Sequence, residues 1–234
     1  MALPTAVLPQ SWQSNEQTLS DRVILVTGAS GGLGRATALA CAGAGASVVL
    51  SGRKVRPLEK LYDEIMTLER AEPAILPLDL AGASPGDYDT VVEALENGFG
   101  RLDGLVHAAA HFEHLTPLAV KKADEWLLDM QVNLSAPFFL TQAVMPLLQA
   151  SDDSAVIFVL DDRERLDRAH WSGYGVAKAG LERLASILHQ ETDDSSLRVQ
   201  AVLPAPMRTA LRRKAWFGED SMAVPLPDDT ATAL

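Results

Sequence analysis

The chain has 234 residues, 47% of them hydrophobic, and a formal net charge of −11. That is enough apolar content for one sizeable core. No stretch approaches the roughly 18 uninterrupted apolar residues of a membrane span, and the acidic balance argues against the basic surface that non-specific nucleic-acid binding requires. One cysteine, Cys41, excludes an intrachain disulfide, and the start of the chain carries Pro4 and Pro9 in its short apolar part with no basic residue before them. It does not read as a secretory signal, so a reducing, cytoplasmic setting is expected.

Residues 1–20 are polar, proline-containing and aperiodic, and read as an N-terminal extension; residues 21–234 read as one domain. From Val23 short apolar runs alternate with helical patterns. RVILVTG is a buried strand ending in glycine, and GGLGRATALACAGAGA follows as a helix in which Cys41 is a packing residue. SVVLSGR is a second strand, residues 55–70 an amphipathic helix, AILPLDL a third strand and residues 87–99 a third helix. LDGLVHAAA is a fourth strand running into small residues. Residues 123–150 read as a long helix that bends at Pro137 or Pro146. SAVIFVLDD is a fifth strand, residues 172–192 a further helix and LRVQAVLPAP a sixth strand. This alternation predicts an α/β fold: a single Rossmann-type doubly wound parallel sheet with helices on both faces. Such sheets bind ligands beyond the carboxyl ends of their strands, which directs attention to residues 28–34, Arg53, Asp79, 108–110, Asp161 and 204–209.

Thr27-Gly28-Ala29-Ser30-Gly31-Gly32-Leu33-Gly34 joins the first strand to the first helix. Its glycines permit a tight turn and close backbone approach to a pyrophosphate, and the helix start offers free N–H groups. The loop lacks the Gly-Lys-Ser/Thr ending of a triphosphate-binding loop, and Arg35 stands where that lysine is expected. At the end of the second strand an acid selects NAD and a base admits the 2′-phosphate of NADP. Leu50-Ser51-Gly52-Arg53-Lys54 contains no acid, so Arg53 favours NADP(H) over NAD(H).

Tyr174 and Lys178 are four residues apart and share one face of a helix. An ammonium beside a phenol is expected to lower the tyrosine pKa. A phenol so tuned exchanges a proton with a carbonyl or alcohol oxygen while hydride moves. His107 and His111 have no third ligand nearby, so no metal site is expected. Arg212, Arg213 and Lys214 read as a solvated helix face, and Trp216 and Phe217 as possible apolar walls of a substrate pocket.

Taken together these motifs resemble the short-chain dehydrogenase/reductases. Thr27 to Gly34 resembles their TGxxxGxG loop and Tyr174/Lys178 their YxxxK, with all motifs in order from about Asp21 to Thr209. Finer features, among them LDGLVH and AHWSGY, are similar to the bacterial YciK-like oxidoreductase subgroup. The resemblance implies cofactor contacts at Gly28, Ser30, Gly32, Leu33, Gly34, Arg53, Asp79, Leu80, Ala108, Tyr174, Lys178, Pro204 and Thr209. It implies catalytic roles for Tyr174, Lys178 and Asn133, a small-molecule substrate, and a homodimer or homotetramer.

Four departures stand out against that pattern. Asp161 occupies the place of the family serine thirteen residues before the tyrosine; an ionised aspartate there raises the pKa of Tyr174, unless it pairs with Arg163 or Arg165. His107-Ala108-Ala109-Ala110 replaces NNAG and Pro204-Ala205 replaces PG, with alanine at positions where positive φ would be costly. The chain stops at Leu234, where the family continues with another helix and a seventh strand; DDTATAL reads as the beginning of that helix. The leading reading is an NADP(H)-dependent reductase of a carbonyl, with Tyr174 as proton donor and Asp161 in an altered role. A second is a dinucleotide-binding sensor or assembly subunit without turnover. A third resembles the pteridine reductases, whose aspartate in the serine position helps protonate a ring nitrogen, and makes the substrate a C=N heterocycle.

Overall fold

The computed structural model describes residues 15–232. Residues 1–14 of the N-terminal extension and the last two residues of the DDTATAL segment lie outside the described residues. In chain order the elements are β1 (Val23–Thr27), α1 (Gly32–Gly43), β2 (Ser47–Gly52), α2 (Val55–Met66), β3 (Ala74–Pro77), α3 (Pro85–Phe99), β4 (Gly104–His107), α4 (Ala123–Met130), α5 (Ala136–Gln149), β5 (Ser154–Val159), α6 (Arg163–Leu166), α7 (Ser172–Glu191), β6 (Leu197–Val202), α8 (Ala210–Ala215) and α9 (Asp228–Ala231).

All six strands are parallel, in the order β3-β2-β1-β4-β5-β6. This is the doubly wound Rossmann order, with its switch point between β1 and β4. Side chains alternate across the sheet as the period of two requires. Ile24 and Val26 of β1 pack with Val48, Leu50, Leu58, Leu61 and Ile65 under α1 and α2. Val23 and Leu25 face the other way, with Val156, Phe158, Leu95, Leu140 and Leu181 under α3, α5 and α7. Register aligns the strand ends: Thr27 lies beside Ser51 on one side and His107 on the other, and His107 beside Phe158. One crevice therefore collects every strand's carboxyl end.

Local signals set the element boundaries. Ser84 and Asp87 form a reciprocal capping box at the start of α3, Pro85 takes its first turn, and Gly100 ends it in the left-handed region. Residues 15–21 form turns, and the Leu19 N–H donates to the Ala44 carbonyl at 2.8 Å, closing the end of α1.

The long helix expected over 123–150 is helical from Ala123 to Gln149, with one irregular stretch. Gln131–Ser135 is a π-helical segment between α4 and α5. The Asn133 amide takes up backbone groups there, donating to the carbonyls of Asp129 and His111, while its Oδ1 accepts from the His111 N–H, each at 2.9 Å. Such a bulge kinks a helix as effectively as proline. Pro137 falls in the first turn of α5 and Pro146 inside it.

Candidate active site

The glycine loop leaves β1 on a tight path. Gly28 has φ +66°, and a Cβ on it would sit 2.7 Å from the Ala109 Cα. Only glycine fits there, because both the conformation and the approach of the loop after β4 exclude a side chain. Gly34 lies against the Gly28 carbonyl, and a Cβ on Gly32 would meet the Thr209 methyl at 2.8 Å. The segment after β6 thus rests directly on the glycine loop. No side chain caps α1, and its first turn has no acid. Its leading N–H groups and positive dipole end therefore remain available to an anion.

An open cleft of about 500 Å³ runs from this loop across the strand ends. Gly28, Ser30, Gly32, Leu33, Gly34, Arg53, Asp79, Leu80, Ala108, Asp161, Tyr174, Lys178, Pro204 and Thr209 all line it. Arg53 and Lys54 are exposed at the end of β2 and form no ion pair among the described residues. The Asp79 carboxylate turns the chain after β3, accepting from the Ala81 N–H at 3.2 Å. Asn133 is not a wall: it is 1% exposed and works through the backbone of residues 129 and 111. The alanines at 108, 110 and 205 carry no strain, since the non-glycine residues with positive φ are Asp21, Glu69, His170 and Ser172. The backbone cost expected at those alanines is absent.

The reacting end of the cleft is built on α7. Gly173 lets that helix approach α4, for a Cβ there would collide with the Asp129 carboxylate at 2.7 Å. Trp171, between the left-handed His170 and Ser172, packs with Phe112 and Tyr174 in a buried aromatic cluster. This cluster holds the Tyr174 ring, with the Phe112 ring edge-on at 5.3 Å. The Tyr174 hydroxyl donates to Asp161 Oδ2 at 2.9 Å. Asp161 Oδ1 pairs with Arg165 of α6 and accepts the Asp162 N–H at 2.8 Å. Of the two arginines open to Asp161 in sequence, the structure selects Arg165; Arg163 pairs with Glu182.

Lys178 does not lower the Tyr174 pKa here. Its Nζ donates to the Val159 carbonyl at 2.7 Å and lies 5.9 Å from the Tyr174 ring centroid. Burial pushes the Tyr174 phenol above its ordinary range, opposed by Arg165 and reinforced by Asp129. Burial likewise pulls Lys178 down to about 8. The expected lowering does not occur because removal from water dominates both groups.

Two further expectations change. Arg212 is not part of a solvated face: its side chain is 15% exposed, it lines the cleft, and it holds Glu219 through two bonds of 2.6 and 2.7 Å. Trp216 lines the cleft, whereas Phe217 is 94% exposed and forms no wall. His107 is a core residue, bonded through Nε2 to Thr141 Oγ1 at 2.8 Å and stacked on Phe158. His111 reaches the cleft. Sequence reasoning missed Arg165 and Arg212 as cleft residues, because only the fold brings residues 212 and 165 to one side of Tyr174.

The residues present fit a dinucleotide. A side-chain-free loop, an uncapped helix start, a basic strand end and a cleft reaching Tyr174 supply what such a group needs. Fold and site together define a Rossmann-type dinucleotide-binding protein. Residues 22–219 match the short chain dehydrogenase family model, and the chain belongs to that family. It is 34% identical over 218 residues to the uncharacterized oxidoreductase YciK of Escherichia coli (strain K12), covering 93% of this chain and 86% of that protein. The solved structure of yciK from E. coli superposes with a TM-score of 0.90 at 33% identity, over 96% of this chain and 91% of that one. A short chain dehydrogenase structure from Escherichia coli CFT073, complexed with NADPH, matches with a TM-score of 0.88 at 35% identity, over 92% and 89% of the two chains.

Proposed function

We propose that this protein is an NADP(H)-dependent reductase of a small carbonyl compound, with Tyr174 as proton donor. The observation that carries the reading is the buried Tyr174 hydroxyl, in the same cleft as the glycine loop, with Lys178 one turn behind it. In this reading residues Gly28, Ser30, Gly32, Leu33 and Gly34 take the pyrophosphate, Arg53 the 2′-phosphate, and Asp79, Leu80 and Ala108 the adenosine. Pro204, Thr209 and Lys178 take the nicotinamide end. The bound cofactor supplies the hydride.

The chain's own residues hold the proton. A phenol raised by burial stays protonated at neutral pH, which is the form a reduction consumes. In the free protein Asp161 accepts the hydroxyl's one proton in a hydrogen bond, which must break so that the O–H turns to the bound carbonyl and delivers the proton there; Arg165 offsets the charge of that carboxylate. An aspartate so engaged is an acceptor, so the proton comes from the tyrosine; this favours a carbonyl substrate over the C=N heterocycle. Asn133 shapes the wall by holding the π-helical segment. Among the described residues no helix is long and apolar enough to cross a membrane. A cytoplasmic homodimer or homotetramer belongs to the same proposal.

The test is a fluorescence titration with NADPH and NADH, followed by carbonyl and pterin turnover in wild type and Tyr174→Phe. NADPH is expected to bind more tightly than NADH. Tyr174→Phe is expected to keep that binding and lose turnover by about 10² to 10⁴-fold. Turnover that survives the substitution removes Tyr174 from its role. Binding without turnover of any such compound supports a sensor or assembly subunit instead.

A further inference from the structure

The roles assigned above leave one cation in the cleft only partly used. Arg165 lines the cleft with its side chain 16% exposed. Asp161 contacts its Nη2, yet its Nε is buried and has no hydrogen-bond partner. An unmet buried donor is costly and native structures rarely keep one without a use. Asp161 does not reach that edge: its Oδ1 meets the Nη2 of Arg165 and its Oδ2 receives the Tyr174 hydroxyl at 2.9 Å. A second cation stands close by. The guanidinium carbons of Arg165 and Arg212 lie 5.1 and 4.6 Å from the centroid of the same Trp216 ring. Their charges repel: burial pulls the Arg165 pKa down, Tyr174 opposes that, and Arg212 adds to the lowering. Glu219 answers Arg212, and among the described residues no anion besides Asp161 pairs with Arg165.

We propose that this end of the cleft is an anion subsite, and that the carbonyl substrate carries a carboxylate held by Arg165, with Arg212 beside it and Trp216 against the substrate body. A planar guanidinium is suited to a carboxylate, and the subsite adjoins the Tyr174 hydroxyl, so the acid group and the reacting carbonyl belong to one small molecule. The inference deepens the reductase reading and rests on it.

The test offers full-length protein, with NADPH, two aldehydes of the same shape: para-formylbenzoate and its methyl ester. The acid is expected to exceed the ester in kcat/KM by about 10-fold or more. In the double variant Arg165→Gln with Asp161→Asn, which leaves no lone charge, the ratio is expected to approach one. Effects on proton transfer are common to both aldehydes and cancel in the ratio, so a merely structural role does not move it. Arg212→Gln, which leaves the Asp161 pair intact, is expected to lower the ratio as well and serves if the double variant does not fold. A wild-type ratio near one, or a ratio unchanged in the variants, overturns the subsite. Calorimetric binding of para-(hydroxymethyl)benzoate in the presence of NADP+ separates the two claims. Binding that depends on Arg165 without turnover of either aldehyde keeps the subsite and removes the reductase reading; neither binding nor turnover overturns the subsite.

Discussion

His107 shows how a single buried group couples this fold to pH. It is 2% exposed, and burial, reinforced by Lys178, pulls its pKa down to about 3. The unfolded chain therefore takes up a proton near pH 6.5 that the folded chain refuses until about pH 3. Between those values the unfolded state binds more protons, so stability is present above pH 6.5 and is lost as pH falls through that window. At about 1.4 kcal/mol per pH unit, roughly 2 kcal/mol should disappear between pH 6.5 and 5. Urea denaturation at the two pH values measures it, and His107→Asn, which cannot titrate, should flatten the dependence. An equal loss in that variant would assign the effect to other groups. The same desolvation governs Tyr174 and Lys178, where the YxxxK spacing alone suggested an attraction that burial overrides.

At the scale of elements, the π-helical segment between α4 and α5 places the far wall of the cleft. Asn133, within that segment, bonds one carbonyl of α4 and two backbone groups of the loop after β4. Asn133→Ala leaves them unmet in a buried site and is expected to cost about 2–4 kcal/mol, read as a lower urea midpoint at unchanged slope. Asn133→Asp, whose buried carboxylate would face the carbonyls of residues 111 and 129, should cost at least as much as alanine. A proline is visible in sequence, whereas a π-helical segment held by a side chain that finds carbonyls at residues 111 and 129 is not. By contrast α3, expected over 87–99, ends where expected and starts two residues earlier, at the Pro85 that follows its capping serine; those start signals are local in sequence.

For the whole molecule the consequence is linkage: a ligand that binds only the folded chain stabilises it. At one hundred times its dissociation constant NADPH should add about 2.7 kcal/mol, a rise in Tm of roughly 5–10 °C for a domain of this size. NADH at the same concentration should give a smaller rise. Arg53→Glu should shrink the NADPH rise while leaving the NADH rise in place; equal shrinkage of both would place Arg53 outside 2′-phosphate recognition.

The six-stranded parallel sheet, the glycine loop at the first strand end and Tyr174 beside Lys178 on one helix face were all determined by the sequence itself. Each rests on short-range regularity: alternation of two in the strands, 3.6 in the helices, and glycines at fixed offsets. The tertiary structure decided the rest. It chose Arg165 over Arg163 for Asp161, brought Arg212 beside Trp216 in the cleft, gave the Asn133 amide its backbone partners, and reversed the direction of the Tyr174 shift. Those outcomes turn on which groups lose water and which meet across dozens of residues, and both are properties of packing in space rather than of spacing along the chain.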